Sequence, residues 1–227
     1  MFSLERVVPW GRSFREYLLF FRLTDNDLKK RILGCADGPA GFNAGLTAEG
    51  GSVVSCDPLY QYTEEEIRSR IAACRPEILE QVSKNRHLFV WNTVRSPEEL
   101  GEWRSSAMRS FLADYEQGRR EGRYCAAALP DLPFADGRFD LAVCSHFLFY
   151  YSDQLPEDFH RKAVGEMLRV APEVRIFPLV DLNGRVSRYR DILAADLQEN
   201  GFSVEIVTVH YEFIRGGNRM MRIVRKD

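Results

Sequence analysis

Short apolar runs alternate with longer amphipathic segments about five times along this chain of 227 residues. The runs at 31–35, 52–56 and 139–144 have the length of buried strands, and the segments between them carry apolar residues at helical spacing. The last two apolar runs flank "IRGGN" and predict an antiparallel hairpin. Because such alternation pairs strands in parallel through helical crossovers, it predicts an α/β fold with a mainly parallel sheet covered by helices on both faces.

No repeat, linker or low-complexity stretch divides the chain, so the sequence predicts one domain over residues 1–227. Residues 1–30 are expected to form an N-terminal helical segment. Residues 60–122 are expected to form a helical insertion between the second and third strands, since this connection is much longer than one helix. The two segments are predicted to roof a site. Their large aromatic residues, expected to serve mostly as core, are Phe14, Tyr17, Trp91, Trp103 and Phe111.

Charge and cysteine content exclude several function classes. With 31 basic and 33 acidic residues the net charge is -2, which argues against a general nucleic-acid binder. The 5 cysteines form no CxxC pair, so buried free thiols and no metal site are expected. We see no secretion signal and no apolar stretch of membrane-spanning length. These features predict a cytoplasmic protein with a small-molecule substrate and no nucleic-acid or membrane partner; the oligomeric state is not predicted.

A glycine-rich loop follows the first predicted strand, in "RILGCADGPAGF" (31–42). Small residues let a ligand approach the backbone, and the start of the next helix offers unpaired N–H groups. Asp57 ends the second predicted strand, nineteen positions after Gly38. A carboxylate at this position can accept both hydroxyls of a ribose, so the pair indicates a nucleoside-containing cofactor. A purely structural loop, with Asp57-Pro58 as a turn, is the alternative.

The dinucleotide fingerprint G-x-G-x-x-G is absent, because position 36 is alanine and Gly34 lies too early. A pyrophosphate would therefore lack its usual binding loop, which favours a cofactor without phosphates. A nicotinamide-dependent oxidoreductase stays open as a weaker alternative.

The segment "LPDLPFADGRFDLAVCSHFLFYY" (129–151) resembles a stretch of the class I S-adenosylmethionine-dependent methyltransferases. In that family an LPF segment and a turn precede an FDLV-type strand that leads into Ser-His. "EMLRVAPEVRIFPLV" (166–180) is similar to the helix and fifth strand that follow, and the C-terminal hairpin fits the family's reversed last strand. The resemblance covers nearly all of residues 31–225. It implies a Rossmann-like three-layer sandwich with a seven-stranded sheet, S-adenosylmethionine as cofactor and methyl transfer as the activity.

The resemblance also implies which residues contact the cofactor. Asp57 would hold the ribose and the backbone of Leu129 would contact the adenine, while Ser145 and His146 would close the floor of the site. The residues that would line the methionine part are Gly34, Ala36, Asp37 and Gly38.

This chain departs from the family pattern at three positions. Gly34 stands where most members have an acidic residue at the end of the first strand, and Asp37 is the candidate substitute. Ala36 replaces the usual second glycine, and Ala128 stands where an aspartate often precedes the adenine contact. A catalytically inactive cofactor-binding or interaction protein of the same fold is therefore the alternative function.

Methyl transfer from a sulfonium is an in-line displacement that depends mainly on positioning. A general base is needed only when the nucleophile loses a proton. His146 and Tyr150 are the candidate catalytic residues, with a structural role as the alternative for each; Tyr211 in the hairpin is expected to be structural. The motifs of base-amine and cytosine-carbon methyltransferases, Asp/Asn-Pro-Pro-aromatic after the fourth strand and Pro-Cys, are missing, so nucleic acid is not the expected substrate. The aromatic residues of the two added segments favour a small and partly apolar acceptor instead.

Overall fold

The computed structural model describes Phe2 and residues 7–226. Its strands are β1 (Arg31–Cys35), β2 (Ser52–Cys56), β3 (Tyr124–Cys125), β4 (Leu141–Ser145), β5 (Glu173–Phe177), β6 (Phe202–Thr208) and β7 (Arg219–Arg225). Its α-helices are α1 (Phe14–Phe20), α2 (Phe42–Ala48), α3 (Glu64–Lys84), α4 (Pro97–Arg120), α5 (Glu157–Val170) and α6 (Arg190–Glu199).

All seven strands form one sheet in the order β3-β2-β1-β4-β5-β7-β6. The first five strands run parallel, and β7 lies antiparallel between β5 and β6. This is the sheet of the class I methyltransferase fold, and the predicted fold class is confirmed.

Residues on the two faces of the sheet pack against different helices, which gives three layers. On one face Leu33 and Ile176 lie in a core with Met167 of α5 and Leu193 of α6. On the other face Ile32, Val143 and Phe177 pack against aromatic residues of α1 and α2, of which Phe20 stacks on Phe177 with 4.6 Å between ring centroids. Neighbours such as Ile32 and Leu33 face opposite layers because side chains alternate along a strand.

Helix α1 buries a different set of residues from the predicted one. The helical spacing predicts a face of Phe14, Tyr17, Leu18 and Phe21, whereas the structure leaves Phe14 and Leu18 half-buried and fully buries Phe20. The helix is only 7 residues long, so its apolar stripe is short. The contacts of Phe20 with Phe177 and Tyr211 determine which side of the helix is buried.

Strand β3 is much shorter than predicted. The pattern "RYCAAAL" predicts a strand over 123–129, but only Tyr124 and Cys125 pair with β2. As an edge strand β3 has one neighbour, and a close backbone contact from the N–H of Ala127 to the carbonyl of Cys125 (2.9 Å) turns the chain away from the sheet.

The connection between β2 and β3 consists mainly of two long helices, α3 and α4, which pack on each other. The sequence pattern of Thr63 and Glu66 predicts a capping box, and this box starts α3. One helix then continues through Pro76 to Lys84 where the sequence suggests two, because the buried side chains at Ile67, Cys74, Ile78 and Val82 form a single stripe. Of the helices that the structure describes, none is long and apolar enough to cross a membrane.

Candidate functional site

A cavity of about 850 Å³ lies at the carboxyl edge of the parallel strands. Its floor comes from the residues that follow β1, β2 and β4, and its roof from the N-terminal segment together with α3 and α4. Ligands of open α/β sheets bind at this edge. The volume is in the upper part of the usual range for small-molecule sites, about 300–1,000 Å³, and leaves room for a nucleoside and a second small molecule.

The loop after β1 exposes its backbone to this cavity. The N–H of Ala36 donates to the carbonyl of Cys56 (2.8 Å), which ties the loop to the end of β2. Ala36 and Gly38 both adopt left-handed backbone conformations, with φ of 55° and 53°. A side chain added at Gly38 would meet only Asp57 Oδ2, at 3.9 Å, so the space above Gly38 is open to a ligand.

Asp57 is half-buried at the end of β2 and faces the same cavity. Its Oδ2 accepts a hydrogen bond from the N–H of Gly38 (2.9 Å), and its Oδ1 accepts one from the N–H of Leu59 (2.8 Å). Burial raises the pKa of Asp57 to about 6, against the opposing effect of these two hydrogen bonds. A carboxylate has about four acceptor positions, so about two remain for the hydroxyls of a ligand.

Asp37 folds back over Gly34 and is fixed by two hydroxyl groups. Its Oδ1 accepts from Tyr17 Oη (2.8 Å) and its Oδ2 from Ser55 Oγ (2.6 Å). A Cβ atom at position 34 would lie 1.8 Å from Asp37 Oδ2, so Asp37 occupies the space of an acidic side chain on β1. Burial raises the pKa of Asp37 to about 7. Gly34 itself lies beneath this carboxylate and is not part of the cavity wall.

Ser145 and His146 close the floor at the end of β4. Ser145 Oγ lies 2.9 Å from His146 Nδ1, and the backbone N–H of His146 donates to the carbonyl of Phe177 (2.6 Å). The imidazole packs edge-on against Phe20 and Tyr150. Burial lowers the pKa of His146 well below 6.5, and the nearby cations of Arg12 and Arg104 lower it further. The ring is therefore neutral at pH 7.

Tyr150 and Leu129 complete the set of predicted site residues. Burial raises the pKa of Tyr150, so its hydroxyl keeps its proton at pH 7. The structure thus brings nearly all of the predicted residues to one cavity: Ala36, Asp37, Gly38, Asp57, Leu129, Ser145, His146 and Tyr150.

The aromatic residues of the two added segments pack mostly in the core, as the sequence predicts. Of the five that were named, only Tyr17 contributes to the cavity wall, and Phe111 belongs to a separate aromatic cluster between α3 and α4. The aromatic wall comes instead from residues outside the helical stripes, including Trp10, Tyr62, Tyr211 and Phe213. Tyr211 is therefore part of the site wall and not only a hairpin residue.

Sequence reasoning also missed a buried ionic cluster in the wall. Arg104 is 1% exposed and donates from Nη1 to both carboxylate oxygens of Glu16, at 2.6 and 2.7 Å. The hydroxyl of Tyr211 donates to Glu16 Oε1 (3.0 Å), and Arg12 lines the cavity beside this group. One signal was available: Arg104 occupies a position within the apolar stripe of α4, between Leu100 and Met108.

No family model matches the chain. Its sequence is 31% identical, over 229 residues and 98% of both chains, to the uncharacterized protein MJ0045 of Methanocaldococcus jannaschii. The chain belongs to the same protein family as MJ0045.

Solved structures with a similar fold are much more distant than MJ0045. They include magnesium protoporphyrin IX methyltransferase from Synechocystis PCC 6803 with bound SAH, at 15% identity and a TM-score of 0.46, covering 89% of this chain and 77% of that one. Another is the PH0226 protein from Pyrococcus horikoshii OT3, at 12% identity and a TM-score of 0.48, covering 93% and 87%. The assignment of the fold rests on the strand order of the sheet and not on these likenesses.

Proposed function

We propose that this protein is an S-adenosylmethionine-dependent methyltransferase that acts on a small molecule. The observation that carries the proposal is the pairing of Asp57 with the open backbone of Gly38 in one cavity, at the carboxyl edge of a sheet with methyltransferase strand order. The remaining acceptor positions of Asp57 suit the two hydroxyls of a ribose.

The cavity residues fit an adenosyl cofactor from end to end. Asp57 would hold the ribose, and the backbone of Leu129 would contact the adenine. Ala36 and Gly38 would leave space for the amino-acid end, above the floor that Ser145 and His146 form. S-adenosylmethionine supplies an electrophilic methyl group on its sulfonium, and alignment of an acceptor with that group provides much of the rate.

His146 is the candidate proton acceptor, and burial together with the cations of Arg12 and Arg104 makes it a weaker base than free imidazole. The ring is neutral at pH 7, and the contact of Nδ1 with Ser145 fixes its orientation. Among the residues that the structure describes, none hydrogen-bonds to Nε2, so this nitrogen is available to an acceptor O–H or N–H. The Tyr150 hydroxyl, protonated at pH 7, can donate a hydrogen bond to the same molecule.

The alternative is a protein that binds the cofactor without transferring its methyl group. Ala36 favours this alternative, because it places a methyl group in a loop where the resembling enzymes have glycine. Asp37 also favours it, since both of its oxygens accept hydrogen bonds from the protein's own hydroxyls.

Calorimetry and a labelled cofactor test the proposal. We expect S-adenosylmethionine and S-adenosylhomocysteine to bind and NAD to show no heat of binding. We expect label from methyl-tritiated S-adenosylmethionine to enter the small-molecule fraction of a cell extract. His146→Asn should reduce that transfer by a larger factor than it weakens cofactor binding, and Asp25→Asn, which changes an exposed carboxylate outside the cavity, should change neither. Binding without transfer would favour the alternative, and absence of binding would refute both.

A further inference from the structure

Three arginines that the structure describes line the cavity: Arg70, which is exposed, and Arg12 and Arg104, which lie close together. Among the described residues, one carboxylate lies close to Arg12 and Arg104, that of Glu16. Arg104 is well supplied with partners, since it donates to Glu16 and, from Nη2, to Tyr211 Oη (3.3 Å). Arg12 has one acceptor among the residues that the structure describes, the carbonyl of Trp10, 2.5 Å from Nη1. The Nε atoms of Arg12 and Arg104 are both buried, and neither has a hydrogen-bond partner among the described residues. The described members of this cluster, Arg12, Arg104 and Glu16, therefore carry a net charge of about +1.

Another buried arginine shows how this chain normally satisfies such a group. Arg175 donates from Nε to Glu173, from Nη1 to the carbonyl of Phe21, and from both Nη atoms to Asp27. All three of its nitrogens have acceptors within the protein. Arg12 and Arg104 differ from Arg175 both in their unpaired nitrogens and in their position on a cavity.

The unpaired charge faces the half of the cavity that also holds His146 and Tyr150. The pKa of Arg12 is lowered by burial and then by the repulsion of Arg104, against the attraction of Glu16, so this guanidinium lacks sufficient negative charge nearby. The backbone of Arg12 is fixed against the glycine-rich loop, because its carbonyl accepts from the N–H of Gly41 (2.8 Å).

We propose that Arg12, supported by Arg104, forms an anion subsite that binds the carboxylate group of a small molecule in this cavity. A guanidinium matches a carboxylate in shape and hydrogen-bond geometry. A single excess positive charge balances a monoanionic carboxylate better than a dianionic phosphate.

Two molecules could supply this carboxylate, and the inference here rests on the proposed function. One is the cofactor, through its amino-acid end. The other is the methyl acceptor, which would then be an acidic and partly apolar compound. The same hydrogen bonds would form in both cases, so binding probes must distinguish the sources.

The first arm of the test compares two nucleosides by calorimetry. S-adenosylhomocysteine carries the amino-acid end, and 5′-methylthioadenosine lacks it. If the cofactor supplies the carboxylate, Arg12→Met weakens the first ligand at least tenfold and the second less than twofold, and Arg12→Lys retains part of the affinity. Arg15→Met, at an exposed position on α1, is the matched control and should leave both affinities unchanged.

The second arm titrates benzoate and its neutral analogue benzamide into protein saturated with S-adenosylhomocysteine. If the acceptor supplies the carboxylate, benzoate binds to the unmodified protein and Arg12→Met weakens it at least tenfold, whereas binding of benzamide is unchanged. Thermal unfolding of each variant confirms that it is folded.

The inference is overturned if Arg12→Met changes neither S-adenosylhomocysteine nor benzoate binding by more than twofold, or if charged and neutral probes weaken equally. Binding of 5′-methylthioadenosine to the unmodified protein separates this result from failure of the proposed function. If that nucleoside binds, but Arg12→Met leaves the affinities for S-adenosylhomocysteine and benzoate unchanged, only the anion subsite is refuted. If the nucleoside does not bind at all, the methyltransferase proposal fails.

Discussion

The two ends of the cavity are built in opposite ways. At the end formed by the strand termini, Asp37 and Asp57 follow β1 and β2, and burial raises the pKa of both carboxyl groups. At the other end, Arg12, Glu16 and Arg104 come from segments outside the sheet and together carry excess positive charge. The strand ends thus place hydrogen-bond acceptors on the cavity, and the segments outside the sheet place cationic donors on it.

This difference shows which part of such a fold can change its ligand specificity without a change in the sheet. Strand ends place Asp57 and Gly38 side by side through local geometry, and any chain with this sheet has equivalent positions. The cationic end depends on α1 and α4, which can vary without altering the strand order. We therefore expect the first end to select the cofactor and the second to select the anionic ligand.

The largest effect is expected from removing the only carboxylate of the cationic cluster. Glu16→Gln keeps the hydrogen-bonding shape but leaves Arg12 and Arg104 without a counter-charge, which should lower the free energy of unfolding by about 3–5 kcal/mol. Urea unfolding of Glu16→Gln and of the unmodified protein at pH 7 measures this loss.

Glu16 also forms a capping box with Ser13 at the start of α1. Glu66→Gln is the matched control, because Glu66 forms the same type of capping box with Thr63 but is exposed and pairs with no buried arginine. It should cost less than about 1 kcal/mol. Equal losses in the two variants would show that Glu16 serves only as a helix cap.

A smaller effect is expected from Asp37, at the end formed by the strand termini. Its pH dependence has the opposite sign to that of a carboxylate paired with a cation. Since the pKa of Asp37 is about 7 in the folded protein and 3.8 in the reference state, the folded protein binds the extra proton. This contribution to stability is fully present below pH 4 and is lost as pH rises through 7. Between pH 8 and pH 5 it should amount to about 2–3 kcal/mol.

Asp37→Asn should remove that dependence. We expect the difference in unfolding free energy between the variant and the unmodified protein to change by about 2–3 kcal/mol from pH 8 to pH 5, in favour of the unmodified protein at pH 5. Urea unfolding at three pH values measures it, and a constant difference would mean that Asp37 is ionised throughout.

The smallest effects are expected from the backbone of the loop that follows β1. Ala36 has a φ of 55°, which costs an L-residue about 1–2 kcal/mol, partly offset by the lower entropy of alanine in the unfolded chain. Ala36→Gly should therefore stabilise the protein by up to about 1 kcal/mol. Gly38→Ala, at a φ of 53° with open space for a methyl group, should destabilise it by a similar amount. Changes of the same sign in both variants would contradict this account of the loop.

The sequence could predict the strand ends of the cavity but not its cationic cluster. The alternation of strands and helices predicts the sheet, and the residues that follow its strands predict Asp57, Ser145 and His146, because these features depend on neighbours along the chain. The cationic cluster joins Glu16 to Arg104, 88 residues away, and to Tyr211, 195 residues away. No local pattern encodes those contacts. The predicted length of β3 was wrong for a related reason, because an edge strand ends where pairing with its single neighbour stops.

Titration of S-adenosylhomocysteine into the unmodified protein, Asp57→Ala and Asp25→Asn is the most direct test of a nucleoside bound at the end of β2. We predict at least a tenfold loss of affinity in Asp57→Ala, as expected for lost hydrogen bonds from two hydroxyls to a charged group, and no change in Asp25→Asn. An affinity within twofold of the unmodified protein, in a folded Asp57→Ala variant, would contradict the assignment of Asp57 to the ribose.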